Sequence, residues 1–184
     1  MSIQNDIRVL KVLAQEYAEI AQLDIHQERL ERYRQTIAKE PVRPVVLIDE
    51  VPWGEIDDDN LVNRCKIDEC RTLELRLRRQ LYQWKHFQGD MVFRPVFRVQ
   101  KRIESSGIGI EVVEQRIESE TGSYAASHEY VDQLSTYDDL DKIVLPIITH
   151  DLDSTDRDVN IAASAFENLM PVEAVGTNFS YNIW

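Results

Sequence analysis

Cysteine is scarce in this sequence of 184 residues, which contains only Cys65 and Cys70. Small secreted proteins that rely on disulfides carry several cysteine pairs, so a disulfide scaffold is excluded. Four residues lie between the two cysteines, whereas zinc-binding pairs are usually closer together and occur twice. We therefore predict two reduced thiols in the interior, where cysteine behaves as a small apolar residue.

Glycine is also scarce, with six residues, and the glycine-rich motifs of nucleotide-binding proteins are missing. The sequence contains neither GxGxxG nor the P-loop pattern, which cradle phosphate, nor GxSxG, which presents the nucleophile of many hydrolases. Its four histidines form no HExxH motif. A self-contained active site is therefore not visible in the sequence.

Long apolar runs and an excess of positive charge are absent too. No stretch approaches the roughly 20 consecutive apolar residues that span a bilayer, and the N-terminus lacks the apolar region of a signal peptide. The 21 lysine and arginine residues stand against 33 aspartate and glutamate residues, and the net charge of −12 repels nucleic acid and anionic lipid. We therefore expect a cytoplasmic protein that binds neither nucleic acid nor membranes.

The apolar share of 43% is sufficient for a core, and its spacing predicts two helices within the first forty residues. Asp24 is placed to cap the second helix, and Pro41 ends it because the residue before a proline disfavours helix. The apolar run VVLID, residues 45–49, then predicts a short buried strand.

A third, long helix is predicted for residues 70–87, where leucine and aromatic residues form a broad apolar face. Residues 91–100 alternate as a strand does, but Pro95 restricts them to an edge strand or a bent strand. The change from helical to alternating spacing within this part of the chain favours a mixed fold.

The second half of the sequence predicts a β-hairpin over residues 109–133, because two alternating segments flank turn residues 120–123. Three further elements complete an α+β fold: a helix capped by Ser135 or Thr136, a helix over residues 154–169, and a buried strand over residues 171–175.

Carboxylates follow the predicted VVLID strand, at the position where α/β proteins place working groups. Asp49, Glu50 and Glu55 are either ligand contacts at a site or acids that shape a turn. Trp53 is placed either to give a ligand a flat apolar wall or to fill the core. His86, on the predicted long helix, is the histidine that we select for a site. No residue is predicted to be catalytic.

Three stretches of the sequence resemble the N-terminal region of a group of bacterial proteins in the uroporphyrinogen decarboxylase superfamily, akin to cobalamin-dependent methyltransferases. They are RPVVLIDEVPWGEI, then CRTLELRLRRQLYQWKHFQGDMV, then SHEYVDQL together with DLDKIVLPIITHD. The resemblance covers most of residues 43–151 and lies in extended patterns rather than in a catalytic signature.

The resemblance implies a larger protein whose catalytic part is a (β/α)8 barrel of about 250 residues. Residues 1–170 are then an N-terminal α+β domain that precedes the barrel, and residues 171–184 are the start of a truncated barrel. In this arrangement Glu50, Trp53, Glu55 and His86 are expected to bind substrate at the barrel mouth, which the domain covers or completes.

The resemblance also implies cofactors and partners. The full-length protein would use zinc and a corrinoid, and this domain would contact its own C-terminal barrel domain and dock a corrinoid protein. The sequence has no HxC pair and no RQAGRY-type motif, so no metal ligand and no tetrapyrrole-binding residue is carried over. This chain is expected to bind no cofactor itself.

Two other functions stay open. The broad apolar face of the helix over residues 70–87 is compatible with a non-catalytic protein-interaction domain. Alternatively, His128 and His150, each next to an acid, would serve a small metal-dependent enzyme if the fold brought them together.

Overall fold

The computed structural model describes residues 3–117 and 127–176, which belong to two compact units. The first unit contains helices α1 (Ile3–Ala21), α2 (Ile25–Ile37), α3 (Asp68–His86) and nearly all of α4 (Leu152–Ala165), with strands β1 (Phe97–Gln100) and β6 (Val172–Val175). The second unit contains strands β2 (Arg102–Ser105), β3 (Glu114–Ile117), β4 (Ser127–Tyr130) and β5 (Ile148–Asp151). This mixture of helix and strand confirms the α+β class.

The core of the first unit lies where α1 meets α3 and where aromatic rings from four parts of the chain converge. Leu10 and Leu77, one on each helix, are fully buried. The rings of Phe97 and Phe166 stack with their centroids 4.4 Å apart, and Tyr17 meets both edge-on. Burial of one such side chain stabilises the fold by about 1.5 to 3 kcal/mol.

The apolar face of α3 is buried in this same core. Leu73, Leu77 and Leu81 are at most 9% exposed and belong to the core cluster. The predicted helix over residues 70–87 is therefore confirmed, within two residues at each end. Its apolar face is not the partner surface that the interaction hypothesis placed there, because the chain covers it with its own side chains.

Two buried carboxylates hold the segment just before α3. Glu74 accepts the backbone N–H groups of Arg64 and Cys65 and, 2.7 Å away, the Nε of Arg78. Asp6, on α1, accepts the next two backbone N–H groups of the segment at 2.8 and 2.9 Å. These bonds satisfy backbone N–H groups that have no partner within a helix or a β-sheet.

Both thiols are free and buried, as predicted. Desolvation raises the pKa of Cys65 well above its usual range and that of Cys70 to about 11. The thiol of Cys65 also donates to the backbone carbonyl of Asp6 at 3.7 Å. Both side chains serve the core as small apolar groups.

The predicted cap at Asp24 is wrong in its chemistry. Asp24 occupies the N-cap position of α2, but its side chain makes no capping hydrogen bond. Its backbone is helical, with φ −60° and ψ −26°, whereas a capping side chain requires an extended backbone at this position. The two predicted helices are nonetheless present, and α2 ends before Pro41.

The buried strand predicted for residues 45–49 is also wrong. These residues form no strand, and Val46, Leu47 and Ile48 are each at least 40% exposed. Their backbone bonds instead go to single groups: Val46 bonds to Asp90 in both directions, and the side-chain amide of Gln83 donates to the carbonyl of Ile48. Apolar composition alone therefore did not place this segment in the interior.

The strands in the described residues form three pairs. β1 and β6 run parallel, with Phe97 opposite Val172, while β2–β5 and β3–β4 are antiparallel. β3 and β4 confirm the two arms of the predicted hairpin, whereas its turn residues 120–123 lie outside the described residues. β6 confirms the strand predicted over residues 171–175, but its side chains are half-buried or exposed rather than buried. The predicted strand over residues 91–100 is confirmed only from Phe97 onward, after Pro95.

The remaining helix predictions are confirmed in part. Thr136 caps a 3-10 helix, Tyr137–Lys142, through a capping box in which the carboxylate of Asp139 bonds back to Thr136. α4 forms near the predicted position but ends at Ala165 instead of residue 169. Among the described residues, no helix is long and apolar enough to cross a membrane.

Candidate functional site

A buried aspartate fixes the stretch that contains the predicted site residues. Asp90 is 1% exposed and follows the end of α3. Its Oδ1 accepts from Arg32 and from Arg43, each at 2.6 Å, and its Oδ2 accepts from Arg43 at 2.8 Å and from the backbone N–H of Val46 at 2.9 Å. Hydrogen bonds from Arg43 hold the pKa of the Asp90 carboxyl well below its usual range. The carboxylate therefore clamps α2 and residues 43–46 together as an ion.

A glycine makes this close approach possible. Gly89 has φ +48°, a left-handed conformation that favours glycine. A Cβ at this position would come 2.7 Å from the carbonyl oxygen of Val46. That same oxygen accepts the backbone N–H of Asp90 at 2.8 Å. A side chain at residue 89 would consequently displace the stretch that leads to Trp53.

Trp53 lies against side chains of α3 and its C-terminus. We define the ring cluster as Trp53, Tyr82, His86 and Phe87. Tyr82 meets Trp53 edge-on with centroids 6.1 Å apart, packs on His86 at 4.2 Å and lies 6.0 Å from Phe87. The guanidinium of Arg79 stands over the Trp53 ring at 5.2 Å, a cation–π contact. The structure thus brings Trp53 and His86 into contact with the same tyrosine.

The two carboxylates predicted with them behave differently. Glu50 and Glu55 are exposed, and Glu55 ends a single 3-10 turn, Trp53–Glu55, that orients the tryptophan. The backbone N–H of Glu55 donates to the carbonyl of Pro52 at 2.9 Å. Turn formation is therefore the role that the structure gives to Glu55, and the predicted substrate contacts of both acids stay predictions.

A small pocket adjoins the ring cluster and has a volume of about 100 Å³. Tyr82 and His86 line it together with the charged side chains of Glu16, Arg78 and Lys85. Sites for drug-sized molecules and cofactors usually measure about 300 to 1,000 Å³. This pocket is too small for a tetrapyrrole, so a large flat ligand could only lie on the ring cluster from outside.

Polar groups border the His86 side of the cluster. Asp58 accepts the backbone N–H of Asn60 at 2.8 Å and its side-chain amide at 2.7 Å. Those bonds, with the nearby charges of His86 and Lys85, lower the pKa of Asp58. The exposed imidazole of His86 is therefore available to a ligand, beside an acid that stays ionised and flat rings that provide apolar area.

A larger open groove of about 460 Å³ lies between α1 and α4. Its floor is apolar, with Ile3, Ile7 and Ile161, and its rim carries Lys11, which is paired with Glu167 at 2.9 Å. None of the predicted site residues lines it. The groove has the larger volume, but the ring cluster combines converging aromatic rings with the imidazole of His86. We therefore take the ring cluster as the candidate site.

Metal binding has no support in the described part of the chain. No group of three or more histidine, cysteine, aspartate or glutamate side chains within it could hold a metal ion. His26 is buried, and its two ring nitrogens bond to the backbone of Ile20 and Phe93. The side chain of His128 is not among those that the structure describes. The hypothesis of a metal-dependent enzyme that uses His128 and His150 therefore stays a prediction.

Sequence reasoning missed Tyr82, Arg79 and Asp90. The spacing of four residues between Tyr82 and His86 on one helix was a usable signal, because such residues are neighbours on a helix surface. No comparable signal linked Trp53 to Arg79 or Asp90 to Val46, since those contacts join distant parts of the sequence.

Comparison with known proteins does not assign this chain to a family. It matches no protein-family model, no curated protein and no solved structure. The resemblance of residues 43–151 to one superfamily therefore stays a prediction.

Proposed function

We propose that this chain is the N-terminal α+β domain of a corrinoid-linked methyltransferase-like protein of the uroporphyrinogen decarboxylase superfamily. In this proposal its partners are its own C-terminal barrel domain and a corrinoid protein. The domain covers or completes the barrel active site, and the ring cluster supplies contacts at the barrel mouth. The boundary at residue 170 is part of the proposal.

The parallel pairing of β1 with β6 is the observation that carries the proposal. Parallel strands need a crossover connection, usually a helix, and α4 precedes β6 directly along the chain. Ala162 and Ala165 of α4 share one core with Phe97 of β1. β1, α4 and β6 follow one another in the strand, helix and parallel-strand order that repeats in a (β/α)8 barrel, although β2 to β5 are inserted between β1 and α4. In the proposal β6 is the first barrel strand, and its pairing with β1 joins the barrel to the preceding domain.

The number of strands supports a continuation of this sheet. The described part of the chain contains only two strands in it, whereas purely parallel sheets are larger and covered on both faces. The exposed residues of β6, Glu173 and Ala174, are compatible with further elements packing there. The same observation fits a doubly wound parallel sheet, so the barrel itself rests on the resemblance.

The ring cluster supports the contact role. Trp53 and Tyr82 offer flat apolar area at the surface, and Arg79 and His86 add a cation and a titratable group. Binding sites combine apolar and aromatic walls with a few placed polar groups. In the proposal, zinc and the corrinoid belong to the full-length protein and this chain binds neither.

The test uses the natural protein that contains this chain. Methyl transfer between methylcobalamin and a simple alkyl thiol is followed by the absorbance of the cobalamin. We expect the transfer to occur, and Trp53→Ala to lower the rate at least tenfold while the melting temperature changes little. Trp53→Phe keeps a ring over Tyr82 and should recover most of the rate.

The control is Val12→Ala, on the exposed face of α1, where the side chain is 70% exposed. It should change neither rate nor melting temperature. Absence of methyl transfer in either direction would overturn the proposal. A parallel loss of rate and melting temperature in Trp53→Ala would show that Trp53 only fills space.

A further inference from the structure

The groove between α1 and α4 has the dimensions of a ligand site. Its volume of about 460 Å³ falls within the range of about 300 to 1,000 Å³ that is usual for sites of small molecules. All of its lining residues belong to the first unit, and none belongs to the ring cluster. Because they line one cavity, its apolar and charged groups lie within reach of a single ligand.

Three isoleucines form the apolar floor of this groove. Ile3 and Ile7 are four residues apart and are therefore neighbours on α1, and Ile161 lines the groove from α4. Ile7 and Ile161 are half-buried and pack against the core of the first unit, which fixes their positions. Among the described residues that line the groove, none is aromatic. An aliphatic floor of this kind suits an alkyl chain better than a flat ring, which gains from stacking on other rings.

Two cations, Arg8 and Lys11, lie beside this floor, and no acid is among the described residues that line it. Lys11 pairs with Glu167 at 2.9 Å, in an exposed contact of the kind that contributes little to stability. The side chain of Arg8, by contrast, has no ion pair or hydrogen bond with any residue that the structure describes. One positive charge at the groove is therefore uncompensated by the described part of the chain.

The sequence of α1 explains why Arg8 lacks an acid on its own helix. Residues three and four positions away are neighbours on a helix surface, and for Arg8 these are Gln4, Asn5, Lys11 and Val12. The chain has 33 acids against 21 bases, yet an acid stands at none of these four positions. Lys11 carries a like charge, so an anion bound between the two cations would relieve their repulsion.

The charges and the floor together select the class of ligand. The cations repel an amine, whereas the guanidinium of Arg8 has the fork geometry that binds a carboxylate through two hydrogen bonds. We infer that the groove binds a linear alkyl carboxylate, with the chain on the three isoleucines and the carboxylate on Arg8. This inference does not rest on the proposed function, because the ring cluster and the β1–β6 pair contribute nothing to the groove.

The first test is isothermal titration calorimetry of the full chain with octanoate, octanol and octylamine. These three probes share one alkyl chain and differ in the charge of the head group. We expect one octanoate to bind per chain, and octylamine to bind at least tenfold more weakly. From butanoate to octanoate, each added methylene should tighten binding by about two- to fourfold, because it buries further apolar area.

The second test separates the head group from the chain. Arg8→Gln should weaken octanoate at least fivefold and leave octanol unchanged, because octanol carries no charge. Ser164→Phe places a ring in the groove from an exposed position on α4 and should weaken both probes at least tenfold. The matched controls are Arg71→Gln, at an exposed arginine of α3, and Ala163→Phe, at the exposed neighbour of Ser164. Neither control position lines the groove, so binding should stay unchanged.

Four results would overturn the inference. Failure of octanoate to saturate the chain at millimolar concentration would show that the groove is not a site for this class. Equal binding of octanoate and octylamine would remove the role of the cations, and that comparison needs no variant to fold. Equal weakening of octanoate and octanol by Arg8→Gln would assign Arg8 to structure alone. Dimerisation in sedimentation experiments that Ser164→Phe abolishes would show that a second copy occupies the groove.

Discussion

Replacing Asp90 with asparagine should destabilise the first unit without changing its shape. Asparagine keeps one carbonyl oxygen and presents an NH2 group in place of the other oxygen. Whichever way the amide turns, two of the four bonds that Asp90 accepts are lost, and the NH2 group faces donors. If Oδ2 is replaced, the lost donors are Arg43 and the N–H of Val46.

The magnitude follows from those two bonds. A hydrogen bond to a charged group contributes about 1.5 to 3 kcal/mol to stability. The side chain of Arg43 is 55% exposed and can hydrogen-bond to water instead. We therefore use the lower end of this energy range for each lost bond. We therefore expect the free energy of unfolding to fall by about 3 kcal/mol, a large part of the roughly 5 to 15 kcal/mol typical of a domain.

Urea denaturation followed by circular dichroism is the assay, at several pH values. The folded-state pKa of Asp90 is depressed, so its stabilisation is fully present above the unfolded value of about 3.9 and is lost as the pH falls through that value toward the folded pKa. The difference between wild type and Asp90→Asn should therefore be full at pH 7 and shrink below about pH 4.

The control is Asp57→Asn, which changes an exposed acid and should have an effect below about 0.5 kcal/mol. A difference of less than about 1 kcal/mol at pH 7 for Asp90→Asn, or a difference independent of pH, would refute the clamp that we assign to this carboxylate.

Three further outcomes are expected. Burial lowers the pKa of His26, so wild-type stability should decrease as the pH falls below about 6.5, and His26→Gln should remove that slope in melting temperature between pH 7.5 and 5. Leu77→Ala should cost about 2 to 5 kcal/mol in urea denaturation, while Val12→Ala, at an exposed position, should cost almost nothing. Because burial raises the pKa of both thiols, a colorimetric thiol reagent at pH 8 should modify Cys65 and Cys70 only when the chain unfolds; rapid reaction of the native chain would contradict their burial.

The elements that could be predicted from the sequence are those in which a local pattern decides the outcome. The spacing of Leu73, Leu77 and Leu81 predicted α3 and its apolar face. Thr136 and Asp139, three residues apart, carry the chemistry of a capping box in the sequence itself. The hairpin arms followed from alternation.

The elements that could not be predicted depend on partners far along the chain. Residues 45–49 are as apolar as a buried strand, but the carboxylate of Asp90, 44 residues from Val46, takes their backbone bond. The candidate site shows the same limit. Trp53 and His86 were selected separately, and only the folded chain shows that both pack on Tyr82.

The pairing of β1 with β6 also has a consequence for synthesis on the ribosome. The partners Arg98 and Glu173 are 75 residues apart, and translation proceeds at about 5 to 20 residues per second. Roughly 4 to 15 seconds therefore pass between the synthesis of β1 and the synthesis of β6. For most of that time the ring of Phe97 lacks its partner, Phe166. During this interval α1 and α3 can already pack, but an apolar strand edge stays open. Exposed apolar surface and unpaired strand edges make such an incomplete chain prone to aggregation, even though the finished fold buries the same rings.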